Sequence, residues 1–423
     1  MRHPWPEGAP ADLLHLLTCP TCRGQAIGRL LDEDSAPDGD DTQEEIYAGA
    51  FARMARAAPE LIERARKRRE AVEALVAELM GAPPGRRSRM LQAARFRSPE
   101  LLDWLLEVSH ARQLSDPGQA AHLARLAARL ASLLRGDPEA MAALPRAFCL
   151  AANASRLEGR RAAADAALVR AGLFLSDPAE RAFHCRTLAL LRWEQGRMDE
   201  ARALLQHASH LYAVEGLDRE AALCWTLLGL HLLETGEPGD ALPLLARGWS
   251  GMERDLQPLL ALRGGLALAV CLAKVDQRDR ASGVLREAWP LYSGIKDAKE
   301  MVRVYAWEGR ALGALGQTEE ALHLLDSVRR KLLDEPALAE ATLTTLDLAL
   351  LLAANGRTSE IEPLVTGLEA RFPATPLRSV ATEGLRSLPV AGHSLLETGY
   401  AIEITLRRAF RICGERMRPL PVG

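Results

Sequence analysis

Apolar residues in the second half of the chain recur at three- and four-residue spacing, and the pattern restarts every 40 residues. Gly196, Gly236, Asp276, Gly316 and Gly356 mark the restarts. Around Gly236, Leu223, Leu227, Leu230 and Leu233 precede the mark, while Ala241, Leu244, Leu245 and Gly248 follow it. Such spacing puts one apolar stripe on each of two helices, and fixed-period self-similarity marks a solenoid. Five residues after the marks stand Ala201, Ala241, Ala281, Ala321 and Ile361. Eight after stand Leu204, Leu244, Val284, Leu324 and Leu364. Seven before stand Ala189, Gly229, Ala269, Gly309 and Ala349, so each first helix has a place where a neighbour can approach closely. Glycine at a mark suits a helix C-terminus, because it takes the left-handed conformation at little steric cost. Second breakers, among them Asp177-Pro178, Gln257-Pro258 and Thr375-Pro376, separate one hairpin from the next.

A small residue late in the first helix, glycine at the turn, alanine early in the second helix and a large residue near its end (Tyr212, Met252, Tyr292, Leu332, Phe372) resemble the tetratricopeptide repeat (TPR). That repeat usually runs 34 residues, so the surplus here reads as longer helices and turns. The resemblance implies an all-α, right-handed superhelical solenoid of about seven helical hairpins, with a curved groove for a peptide or helix of a partner protein. The array is expected over residues 98–375. Two less regular hairpins, Ser98 to Leu134 and Asp137 to Leu175, open it, as terminal repeats often depart from the rule. Residues 376–423 read as closing helices, the last amphipathic through Leu395, Ile402, Leu406, Phe410 and Ile412.

Upstream, residues 46–97 read as a helical spacer. Its basic run Arg64 to Arg69 lies among Glu60, Glu63 and Glu70 with no aromatic residue to stack on bases, which reads as a solvated helix face. A second basic cluster, Arg86, Arg87, Arg89, Arg95 and Arg97, fits either a loop surface or pairing with the acidic linker at residues 32–45. Net charge of -3 gives no bulk attraction for nucleic acid, and 4% aromatic residues with abundant Ala and Leu favour helix. No run reaches 18 apolar residues and no leader pattern opens the chain, so a cytoplasmic protein without a membrane span is expected.

No phosphate loop, zincin motif or nucleophile elbow is present, which argues against an enzyme. Cys149, Cys185, Cys224 and Cys271 fall within apolar helical runs and read as small core residues. Cys19 and Cys22 differ, because His15 joins them at positions i, i+4 and i+7 of one helix face. The stretch His15-Leu-Leu-Thr-Cys19-Pro-Thr-Cys22 in residues 1–31 resembles the zinc-binding motif of anti-sigma factors. The resemblance implies zinc held by His15, Cys19 and Cys22. A tetrahedral structural site needs a fourth ligand, for which His3 is the nearest candidate. It also implies transcription regulation through a sigma factor. Read alternatively, the two thiols belong to a degenerate finger on a scaffold unrelated to sigma factors.

Overall fold

The computed structural model describes residues 63, 66–67 and 69–412, less 236, 255–256, 296, 336, 373–374 and 389–394. Every regular element among the described residues is helical. The chain divides into two compact parts, Met1–Trp104 and Leu105–Gly423.

In the first part, residues 69–81 are helical and α1 (Pro84–Met90) follows. The second basic cluster serves this local structure. Arg87 donates from Nε to the Ala82 carbonyl and from Nη2 to that of Met80, both at 2.9 Å, satisfying acceptors that the helix end leaves open. Arg95 pairs with Glu78 and lies 5.1 Å from the ring centre of Phe96, which is buried. Of the earlier basic run, the described residues Arg66, Lys67 and Arg69 are helical and exposed, and Arg66 pairs with Glu63 and Arg69 with Glu73.

Helix α2 (Pro99–Ala111) carries the boundary between the parts. Next come α3 (Pro117–Leu133), the short α4 (Pro138–Ala142), α5 (Leu144–Leu157) and α6 (Arg161–Gly172). Asp116 and Asp137 cap the starts of α3 and α4 through backbone N–H groups.

Five hairpins then follow, and the 40-residue register is borne out by where their helices begin. First helices are α7 (Pro178–Glu194), α9 (Asp218–Thr235), α11 (Pro258–Lys274), α13 (Ala298–Ala314) and α15 (Leu338–Ala354). Their partners are α8 (Met198–Val214), α10 (Pro238–Gly251), α12 (Arg278–Ala288), α14 (Thr318–Asp334) and α16 (Ile361–Arg371). At the marks, Gly196, Gly316 and Gly356 have φ of 77°, 85° and 73°, and Gly159 of the preceding hairpin has 75°. Asp276 adopts φ 59° without glycine's freedom, and among described residues it is the non-glycine residue that does so. Gly236 lies outside the described residues.

Within hairpins the small residues sit where the helices cross. Ala189, Ala269 and Ala349 of the first helices are fully buried, as are Ala201, Ala241, Ala281 and Ala321 of the second helices. A Cβ built on Gly229 would stand 2.6 Å from Cγ of Leu245, and one on Gly309 2.7 Å from Cγ of Leu325. The depth of the second helices differs by one residue from the sequence reading. Leu204, Leu244, Val284 and Leu324 are only half-buried, whereas Leu205, Leu245 and Leu325, one place later, are buried. Both places are apolar, and the rotation of the helix against its partner decides which one faces inward.

Neighbouring hairpins are coupled one helical turn short of a full repeat. Arg303 donates to both carboxylate oxygens of Glu340 at 2.8 and 2.6 Å, and Arg310 donates to Asp347 at 2.6 Å, both 37 residues apart. Earlier in the array a polar chain runs through buried side chains. Asn153 donates to Gln113 at 3.1 Å, Arg156 donates to Asn153 at 3.0 and 2.8 Å, and Arg156 pairs with Glu194. The chain closes with α17 (Pro376–Ser387) and α18 (Leu395–Ile412).

Candidate functional site

The site is built by the first helices. These lie side by side in sequence order, and α18 touches both α15 and α9, three hairpins away. A helix laid across a flat row would touch α11 and α13 as closely as it touches α9 and α15. Instead α18 packs more closely on the outer two, so the row of first helices curves around it. Its concave side is therefore the inner face, and α18 lies against it.

Beside α18 the inner face leaves a cavity of ≈ 260 Å³. Leu233 of α9, Val270 of α11, Trp307 of α13 and Leu350 and Leu351 of α15 supply its apolar walls. Thus four successive hairpins contribute to one recess. Gly399 brings the α18 backbone onto α15, since a Cβ there would stand 2.5 Å from Cδ2 of Leu350.

Five charged groups gather at one end of the cavity. Arg310 sits between two carboxylates, donating from Nε to Asp347 at 2.6 Å and from Nη2 to Glu403 of α18 at 3.2 Å. Arg407 donates to the same Glu403 oxygen at 3.0 and 2.7 Å. Lys274 stands on the cavity wall with its side chain reaching solvent. Burial pushes the Asp347 carboxyl up to about 6, against the pull of Arg310. Burial also acts to raise Glu403, but Arg310 and Arg407 together outweigh it and hold this carboxyl down to about 2. Burial opposes the charge on Arg310, and the two carboxylates more than offset that, raising its pKa. In their ionised forms, three cations and two anions stand together beside an apolar recess. Such a surface offers hydrogen-bonding charge beside apolar walls.

Aromatic residues elsewhere divide by role. Trp193 meets the edge of buried His231 at 4.9 Å and belongs to the core between adjacent first helices. Arg247 lies 3.8 Å from the ring centre of Trp225, and Arg254 equally close to Trp249. Trp289 is 69% exposed and forms a row with Tyr292 and Tyr305, where Glu308 accepts the Tyr292 hydroxyl at 2.9 Å.

The sequence-derived metal ligands His3, His15, Cys19 and Cys22 lie outside the described residues, as does the acidic linker. Among the described residues no cluster of three or more His, Cys, Asp or Glu is arranged to hold a metal ion. Of the four cysteines read as core residues Cys149, Cys224 and Cys271 are buried and Cys185 is half-buried, and burial pushes the thiols of Cys224 and Cys271 up to about 12 and about 11. The charge cluster was not anticipated. Asp347 was its one visible signal, as the sole charged residue between Leu343 and Leu352 in an otherwise apolar helix.

No known family profile matches the chain, and no curated protein does. Among solved structures it is similar to a Rap protein complexed with Competence and Sporulation Factor, at 12% identity and a TM-score of 0.52. That match covers 75% of this chain and 89% of the other. The apo form of the quorum sensor NprR from B. thuringiensis matches at 13% identity and a TM-score of 0.48, over 75% of this chain and 95% of the other. The apo form of RapI matches at 12% and 0.46, over 82% and 99%. The likeness to the Rap protein bears out the all-α, TPR-like solenoid. No helix among the described residues is long and apolar enough to cross a membrane.

Proposed function

We propose that this is a non-enzymatic binding protein whose inner face takes up a peptide or helix of a partner protein. The observation that carries the reading is the recess to which α9, α11, α13 and α15 all contribute, with apolar walls and a charged end. Extended concave surfaces of this kind suit a segment long enough to touch several repeats at once. The Rap protein of the same fold was captured in complex with Competence and Sporulation Factor, which agrees with a binding role for the architecture.

The test is affinity capture with three full-length baits: the parent protein, Trp307→Asp on the inner face, and Val169→Asp on a surface position that is 69% exposed. A partner held by the parent and by Val169→Asp but lost by Trp307→Asp is the expected result. A partner retained by Trp307→Asp would refute the inner-face assignment.

The amino-terminal spacing supports a finer proposal, in which zinc bound by His15, Cys19 and Cys22, with His3 as the fourth ligand, builds a regulatory contact with a sigma factor. Thiolate pairs are oxidisable, so loss of the metal on oxidation would switch such a contact off. Capture of a sigma factor by the parent protein, and its loss in Cys19→Ser, would support this reading. Sigma-factor binding unchanged in Cys19→Ser would refute the zinc dependence.

A further inference from the structure

The last helix sits where a partner helix would sit. Its inward stripe is Gly399, Glu403, Leu406 and Phe410, at i, i+4, i+7 and i+11, which is one face of an α-helix. Leu406 and Phe410 are 1% and 0% exposed, while Ile404 and Thr405 on the other side face solvent. Glu403 is the polar anchor, held by Arg310 of the array. Leu406 and Phe410 join a core with α14 to α17, and Gly399 and Glu403 line the recess, so the helix lies in a groove that the chain makes for itself, with α17 as one of its walls.

Two features separate this seat from the helix pairings of the array. The α18 contact leaves beside it a half-open recess of ≈ 260 Å³, lined by Glu403 and Arg407 of α18 and by four first helices of the array, that α18 does not fill. Its polar half is an ionic cluster, and ion pairs removed from water add little net stability while fixing register and orientation. The seat is therefore specific in pattern and incompletely filled.

We propose that α18 is a displaceable internal occupant of the inner face. The ligand that replaces it is an amphipathic helix carrying a small residue, a carboxylate, an aliphatic and an aromatic residue at the spacing of Gly399, Glu403, Leu406 and Phe410. The inference rests on the groove-binding reading and adds to it the chemistry of the ligand and its competitor. The carboxylate takes the place of Glu403, accepting from Nη2 of Arg310 while Nε stays on Asp347. While α18 is docked, an incoming helix meets a groove that is free only for the fraction of time α18 is away, and its apparent affinity falls by that fraction.

The experiment uses the full-length protein and a fluorescent peptide of residues 395–412. Phe410→Ala weakens the internal seat by removing its apolar anchor. Glu403→Lys weakens it by setting a cation against Arg310 and Arg407, without hollowing the core. Each variant is expected to bind the peptide about tenfold or more tightly than the parent, the factor corresponding to a helix docked about 90% of the time or more. The same peptide carrying Glu403→Lys is expected to bind none of the three proteins. In the parent, backbone amides of α18 should exchange with solvent faster than those of α15, and faster again when the peptide is saturating. If Phe410→Ala unfolds, Glu403→Lys and the exchange of the parent decide the matter. Amides of α18 exchanging as slowly as those of α15, or a folded Glu403→Lys protein with no gain in peptide affinity, would overturn the proposal. A partner that binds through Trp307 while α18 stays protected would overturn displacement alone and leave the groove reading standing.

Discussion

Replacing Gly248 by alanine adds one methyl group at the crossing of α9 and α10, and the geometry sets its cost. The new Cβ would stand 2.1 Å from Oγ1 of Thr226, 3.0 Å from the Thr226 backbone nitrogen and 3.1 Å from the Ala222 carbonyl oxygen. Comfortable carbon contacts lie at about 3.5–4.0 Å, so the helices must part by roughly half an ångström even after Thr226 rotates away. Rotation is not free, because Thr226 Oγ1 donates to the Ala222 carbonyl at 3.0 Å. Overpacking of this kind costs about 1–3 kcal/mol, against a gain of about 1 kcal/mol from replacing a mid-helix glycine. Gly283, inside α12, is the control, since nothing lies within 4 Å of its Cβ position and only the gain applies. Urea unfolding followed by circular dichroism should therefore place Gly248→Ala below the parent and Gly283→Ala above it, up to a few kcal/mol apart. Thr226→Ala should recover part of the Gly248→Ala loss in a double-mutant cycle, because the two sites touch. Equal stability of Gly248→Ala and Gly283→Ala would refute the close-crossing argument.

The same crossing at Gly229 and Gly309 predicts that leucine at either costs about 1–3 kcal/mol, read as a lowered melting temperature. Asp276→Gly should stabilise by roughly 1 kcal/mol in the same assay, since it relieves a left-handed φ of 59° at a side-chain-bearing residue. His184 donates from Nε2 to the Leu168 carbonyl at 3.0 Å, and burial lowers its pKa. The unfolded chain then binds more protons, so this contribution is present above the ordinary histidine value and is lost as pH falls from about 6.5 toward the depressed one. His184→Gln should lose less stability than the parent between pH 7.5 and 5.5, and an equal loss would refute the assignment. Metal analysis of protein purified without added zinc should find near one zinc per chain, absent in Cys19→Ser and Cys22→Ser and kept in Cys224→Ser. A metal-free parent would overturn the zinc proposal.

The solenoid was legible because its signals are local. A left-handed turn asks for glycine, a close crossing asks for a small residue, and both demands return every 40 residues whatever lies between them. Even Asp276, which breaks the glycine series, holds the same backbone shape, because the hairpins on either side fix it. What depended on rotation or on distant chain was not legible. Leu204 and Leu205 are chemically the same residue, and only the packed helix pair separates the half-buried one from the buried one. The charge cluster joins Arg310 to Glu403 across 93 residues, and nothing near either position announces the other. The last helix was recognisable as amphipathic. That its apolar side would turn onto the inner face could not be read from a stripe alone.

The regular stride bears on how the molecule would yield to a pull at its ends. A hairpin freed from such an array releases 40 residues, about 130–145 Å of extended chain, so stretching would proceed in rips of even length. Helix α18 alters the sequence of events, because it ties α9 to α15 and lies in parallel with the two hairpins between theirs. Tension applied through the carboxyl end must first peel this strap away, and the hairpins it spans are shielded until it goes. The chain therefore carries its own latch in parallel with part of a uniform spring, and a helix that competes with α18 would soften the spring by opening the latch.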